Sequence, residues 1–110
     1  MGVTKTSLFT EKQNQMALMF KALGHPARIA IVEHLLKTDA CISGEIVEEV
    51  QLAQATVSQH LKELREAGII KGSIEGNAVC YCLDKSSISK LKKYFSRTLK
   101  KLEKLDDSCC

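Results

Sequence analysis

Residues 69–83, IIKGSIEGNAVCYCL, contain two short apolar runs on either side of Gly76-Asn77, a dipeptide suited to the tight turn of a β-hairpin. With those two residues as the loop, Ile74 faces Val79, Gly72 faces Tyr81 and Ile70 faces Leu83, and all six lie on one side of the ribbon. A slip of one residue would turn this set toward solvent, so the pattern selects a single register. Cys80 and Cys82 then share the opposite, more exposed face, across from Ser73 and Lys71. Strand rise puts their Cα atoms about 6 to 7 Å apart, close enough for two thiolates to converge on one soft ion. An isolated two-stranded ribbon is marginal in water, so the remaining chain has to supply the core.

The remaining chain reads as helical. Phe9, Met16, Met19, Phe20 and Leu23 recur at helical spacing from about Ser7 to Leu23, which predicts an amphipathic first helix. Gly24-His25-Pro26 interrupts it, and Pro26 suits the first turn of a second helix running to about Lys37, where its missing N–H costs nothing. His25 reads as a cap or hinge residue and His34 as a surface or half-buried one. Ser43 is placed to cap a third helix that resumes with IVEEV after Gly44-Glu45. Beyond the hairpin, Ile88, Leu91, Phe95, Leu99, Leu102 and Leu105 recur at three- and four-residue steps between lysines, predicting one long helix over Asp84 to Leu105. A stripe of that length exceeds what the preceding residues can cover, so it is expected to pair with a second copy and with the first helix across a two-fold axis.

Between the third helix and the hairpin lies Gln51 to Leu64, QLAQATVSQHLKEL. With Val57 at the centre of a helical face, Leu61 and Leu64 fall within about 40° of it, a narrow buried stripe. Ala55, Ser58, Gln59 and Lys62 point away from that stripe. Short or polar groups of this kind can approach a duplex, donate to phosphate and read base edges. The helix is expected to reach Ala67 and stop at Gly68, a residue able to take positive φ. Two helices joined by a short break, the second with a small polar outer face, form a helix-turn-helix pattern. The element order makes the fold class mainly α with a small β-hairpin wing, a winged helix-turn-helix that forms a homodimer through its first and last helices.

At 110 residues, 45% apolar and 26% charged, the chain suits one domain with one modest core. Residues 1–105 are expected to form the DNA-binding and dimerisation domain, and 106–110 a mobile cysteine-containing tail. The opening MGVTKTSLFTEKQNQ has neither the basic nor the apolar region of a secretory signal, and no stretch of 18 apolar residues occurs; a cytoplasmic chain without a membrane partner is expected. Five cysteines, an odd number, argue against a disulfide framework and for reduced thiols. The net charge of +3 permits a polyanionic partner, and a symmetric dimer doubles it to about +6.

ALGHPARIAIVEHL, then ATVSQHLKELREAGII, then VCYCLD together resemble the ArsR/SmtB family of bacterial metal-sensing repressors over about Met16 to Asp84, with the arsenic-sensing branch most similar. SQHLKELREAGI is among that family's more specific signatures. The resemblance implies a homodimer bound to double-stranded operator DNA, needing no cofactor to bind it, with its recognition helices in successive major grooves of an imperfect palindrome. Ala55, Thr56, Ser58, Gln59 and His60 match the family's recognition positions. Lys62 and Arg65 would serve phosphates, and Gly76 and Asn77 at the wing tip would approach the adjacent minor groove. His60 lies about 60° from the buried centre of the helix, divided between packing and contact with DNA.

The resemblance also frames the inducer. Zinc-sensing members use an Asp and His pair plus a later His and Glu on the last helix; no histidine follows His60 here, so that site is not expected. Cys41 fits the first thiol position of the arsenic-sensing branch, but Ser43 stands where the second thiol belongs. Cys80-x-Cys82 is the nearest substitute, and a Cys41, Cys80, Cys82 set would suit As(III) or Sb(III) as inducer. The alternative uses the vicinal pair Cys109-Cys110; a thiol-redox or persulfide response by two of these cysteines is the second reading. A further alternative treats all five as small apolar fillers. Two other classes compete. A thiol-dependent enzyme lacks a Cys-x-x-Cys in a βαβ setting and a phosphate loop; a pure protein-interaction module is the other rival, and the absence of a specific gel shift on promoter DNA would favour either.

Overall fold

The computed structural model describes residues 6–37, 54–75 and 78–106. A single 3₁₀ turn, Thr6–Leu8, precedes α1, Glu11–Leu23. The helix starts several residues later than Ser7 because Thr10 forms a capping box: its side chain accepts from the Gln13 N–H at 3.0 Å, while Gln13 Oε1 accepts from the Thr10 N–H at 3.0 Å. Helix α2 spans Pro26–Lys37. The ring of His25 caps it, with Nδ1 accepting from the Ala27 N–H at 3.1 Å, so the expected cap role holds.

Helix α3, Gln54–Glu66, follows, and Gly68 ends it with φ of 80°, the left-handed conformation that glycine adopts without strain. Strands β1, Ile70–Glu75, and β2, Ala78–Leu83, pair antiparallel with Ile70 opposite Leu83, Gly72 opposite Tyr81 and Ile74 opposite Val79. This is the expected register. Helix α4, Lys85–Glu103, is capped by Asp84, whose carboxylate accepts from the N–H groups of Ser86 at 3.0 Å and Ser87 at 3.3 Å. The third helix expected after Ser43 lies outside the described residues, as do Cys41, Gly76, Asn77, Cys109 and Cys110.

The core joins one face of every described helix to the base of the wing. Met16, Met19 and Ala22 of α1 meet Ile31 and Leu35 of α2, Val57, Leu61 and Leu64 of α3, and Leu91 of α4. Ile69 and Ile70 complete it, both essentially inaccessible. Ile69 is carried inward by the turn at Gly68, where its N–H donates to the Leu64 carbonyl at 3.0 Å. On the far side, Phe20 of α1 packs against Tyr94 and Phe95 of α4, each ring pair at 5.6 Å between centroids. The last turns of α4 run past this contact, with Leu99 and Leu102 more than half exposed. No described helix is long and apolar enough to cross a membrane.

Candidate nucleic-acid interface

Helix α3 is divided lengthwise into an anchored face and an open one. Val57, Leu61 and Leu64 are 2%, 7% and 0% exposed, so the i, i+4, i+7 stripe is fixed in the core. Burying three such side chains stabilises the helix pose by roughly 1.5 to 3 kcal/mol each. Ala55, Thr56, Ser58, Gln59, Lys62 and Arg65 are all exposed. Small groups at 55 and 58 let the helix backbone approach a flat or grooved partner closely. The Gln59 amide donates to Glu63 at 3.2 Å along the helix surface, a solvent-facing bond that a base edge can replace. The two cationic side chains sit further along α3, on positions suited to phosphate.

Among the expected contact residues that are described, His60 is the exception. Its side chain is only 8% exposed, and its Nδ1 accepts from Arg28 Nε at 3.1 Å. The same guanidinium donates through Nη1 to the carbonyls of Ala22 at 3.2 Å and Lys21 at 3.5 Å, at the C-terminal end of α1, where carbonyls run out of the usual intrahelical N–H partners and carry partial negative charge. The His25 ring lies 4.4 Å from the His60 ring, centroid to centroid. Burial pushes the His60 imidazole below its ordinary value, the charges of His25 and Arg28 push in the same direction, and Glu63 opposes them. The ring is therefore inward and neutral at pH 7, which favours its packing role. Arg28 was not singled out by the residue pattern; a lone cation in the otherwise apolar start of ARIAIVEHLL was the available signal.

The hairpin places Cys80 opposite Ser73 and Cys82 opposite Lys71. The Cys82 thiol is free and half-buried rather than open to solvent. Among the described residues no group of three or more His, Cys, Asp or Glu side chains is gathered as for a metal ion. Cys41, Cys109 and Cys110 lie outside those residues, as does the wing tip.

Comparison with known proteins bears on this geometry. The family model described as "Bacterial regulatory protein, arsR family" matches residues 25–71, from the α2 cap through α3 into β1. The biofilm growth-associated repressor of Agrobacterium fabrum is 31% identical over 81 residues, 74% of this chain and 68% of that protein. The chain belongs to the ArsR family.

Two further relatives of this ArsR-family chain come from Mycobacterium tuberculosis. The HTH-type transcriptional repressor SmtB is 42% identical over 65 residues, 59% of this chain and 47% of that protein. An uncharacterized HTH-type transcriptional regulator is 37% identical over 75 residues, 68% of this chain and 66% of that protein; the matched segment thus spans just under two thirds of its length. The crystal structure of that regulator superposes with a TM-score of 0.63 at 33% identity, covering 86% of this chain and 94% of that one. The family and these relatives are regulatory proteins by name, transcriptional regulators or repressors.

Proposed function

We propose that the chain is a homodimeric, sequence-specific repressor whose α3 enters the major groove of double-stranded operator DNA and which a thiophilic inducer releases. The observation that carries this reading is the division of α3, with Ala55, Ser58, Gln59 and Lys62 exposed opposite a stripe fixed in the core. Ser58 and Gln59 are the leading base readers, Thr56 and Ala55 make close approach, and Lys62 and Arg65 hold phosphates. Gly76 and Asn77 at the wing tip would reach the neighbouring minor groove. Two of the relatives bear the name repressor, which supports the direction of control.

Dimerisation is supported by a continuous apolar stripe that one protomer leaves open. Phe95, Leu99, Leu102 and Leu105 of α4 and its end are 50%, 56%, 58% and 66% exposed, and Leu18 of α1 is 61% exposed. A two-fold pairing of these helices would cover them and set the two copies of α3 about one helical turn of DNA apart, or a multiple of it.

For the inducer, Cys41, Cys80 and Cys82 form the favoured ligand set, with Cys109 and Cys110 the alternative. The free Cys82 thiol, two residues from Cys80 on one strand, has the donor chemistry for As(III) or Sb(III). Such an ion would cross-link the sulfurs of that set. Gel shifts of the purified protein on its own promoter, at stated salt, test the whole reading when repeated with arsenite, antimonite, zinc, cadmium and peroxide. Release by arsenite that survives Cys80→Ser with Cys82→Ser excludes the wing set, and release by peroxide alone favours the thiol-redox reading.

A further inference from the structure

We propose that Arg28 is a positioning residue for the DNA-reading helix, acting through its hydrogen bond to the ring of His60. The inference rests on the DNA-binding reading of α3. His60 is the neighbour of Gln59 on that helix, yet its side chain turns inward. Arg28 stands on α2 and grips two other elements at once: Nε donates to His60 Nδ1 at 3.1 Å on α3, and Nη1 donates to the Ala22 and Lys21 carbonyls at 3.2 and 3.5 Å on α1. The planar guanidinium makes these directions mutually dependent, because one rigid fork serves both. Rotation of α3 about its own axis would turn Ser58 and Gln59 away from DNA and would break the His60 bond first.

The contact also fixes a protonation state. An arginine N–H can only donate, so Nδ1 of His60 must keep its lone pair and carry no proton. A second proton would set two donors against each other at 3.1 Å. Among the described residues, the charged and titratable groups facing His60 are His25 from the α2 cap, Arg28 from α2 and Glu63 one turn along α3. From α1, among the described residues, the guanidinium meets the Ala22 and Lys21 main-chain carbonyls. Acidification therefore releases the grip. Simple electrostatics predicts the opposite outcome, since an extra positive charge on α3 strengthens attraction to phosphate.

The sign of the acid response separates a positioning contact from a bystander. Operator affinity is measured by fluorescence anisotropy on the full chain and its promoter duplex, at fixed ionic strength, from about pH 8 to pH 5. Wild type is expected to lose about tenfold in affinity as the pH falls through the lowered His60 value, the scale of one charge-assisted hydrogen bond. His60→Asn, whose Oδ1 stands where Nδ1 does and does not titrate, should lose most of that acid limb, read as the ratio of its affinities at about pH 8 and pH 5. Arg28→Ala should bind about tenfold more weakly at neutral pH and show no acid limb; Arg28→Lys, with a single donor head, serves if the alanine variant does not fold.

Imidazole NMR of the protein without DNA provides the independent arm, with Nδ1 of His60 unprotonated at neutral pH and its titration moved upward when Arg28 is replaced. Binding that strengthens or stays flat on acidification, or an Arg28 variant that binds like wild type, overturns the proposal. A wild-type chain that binds no DNA at any pH overturns the DNA-binding reading instead, and NMR then decides whether the Arg28–His60 contact governs the ring.

Discussion

Arg28 and His60 are 32 residues apart in sequence, and a 3.1 Å hydrogen bond from Nε to Nδ1 joins them across α2 and α3. The exposed face of α3 is thereby held by two kinds of force. Apolar burial of Val57, Leu61 and Leu64 fixes the depth of the helix, and is indifferent to small rotations. The directional bond to His60 fixes the angle.

That bond makes stability depend on pH in one direction. Burial, then His25 and Arg28, depress the His60 value in the folded protein, while the unfolded chain takes up a proton near 6.5. In the window between the two values the unfolded state holds more protons, so stability rises with pH through it. The contribution is complete above about 6.5 and is lost as the pH falls toward the folded value. Urea midpoints measured from about pH 7.5 to pH 5 should therefore fall, and the fall should be smaller in His60→Asn. Equal slopes for the two proteins would show that His60 does not carry the linkage.

Gly68 offers a test of backbone conformation separated from space. Its φ is 80°, and a Cβ added there would meet Ser87 Oγ at 3.5 Å, an ordinary contact. Gly68→Ala should therefore cost only the left-handed backbone penalty, about 1 to 2 kcal/mol. Thermal or chemical unfolding measures it, and a loss well beyond that range would mean that the turn into β1 had moved.

Leu99 reports on self-association. It is 56% exposed on the protomer, so Leu99→Glu should leave the fold of one chain intact, as judged by far-UV circular dichroism. Sedimentation should give wild type a mass of about 24 kDa, twice the 12.2 kDa chain, and the variant a mass near that of one chain. A wild-type chain that sediments as a monomer at the concentrations used for DNA binding would contradict the two-fold model.

The fold was legible where periodicity is strong. The α3 stripe, the start of α2 at Pro26, the Gly68 stop and the hairpin register each follow from neighbours within a few residues, and each appears as expected. The start of α1 was displaced because the Thr10–Gln13 capping box outweighs the apolar spacing that begins at Phe9, which is 52% exposed. Ile69 entered the core because the turn after Gly68 redirects the chain, a three-dimensional consequence that strand alternation does not contain. Arg28 was invisible for a similar reason: helical periodicity says which face a residue occupies, but not which distant ring that face meets. His60, near the boundary between the two faces of α3, was resolved by that partner.

A competition titration tests the DNA-reading role of the exposed face of α3 most directly. Wild type, Gln59→Ala and Lys62→Gln are titrated against the chain's own promoter duplex and a scrambled duplex across a salt series. Gln59→Ala should lose about 1 to 3 kcal/mol of discrimination between the duplexes, with unfolding unchanged because the side chain is exposed. Lys62→Gln should weaken both and reduce the slope of log K against log salt by about 1.8, about 0.9 for each of the two copies in the dimer. A wild-type chain that binds both duplexes equally, or variants that retain full discrimination and the full salt slope, would contradict the assignment of α3 as the helix that reads DNA.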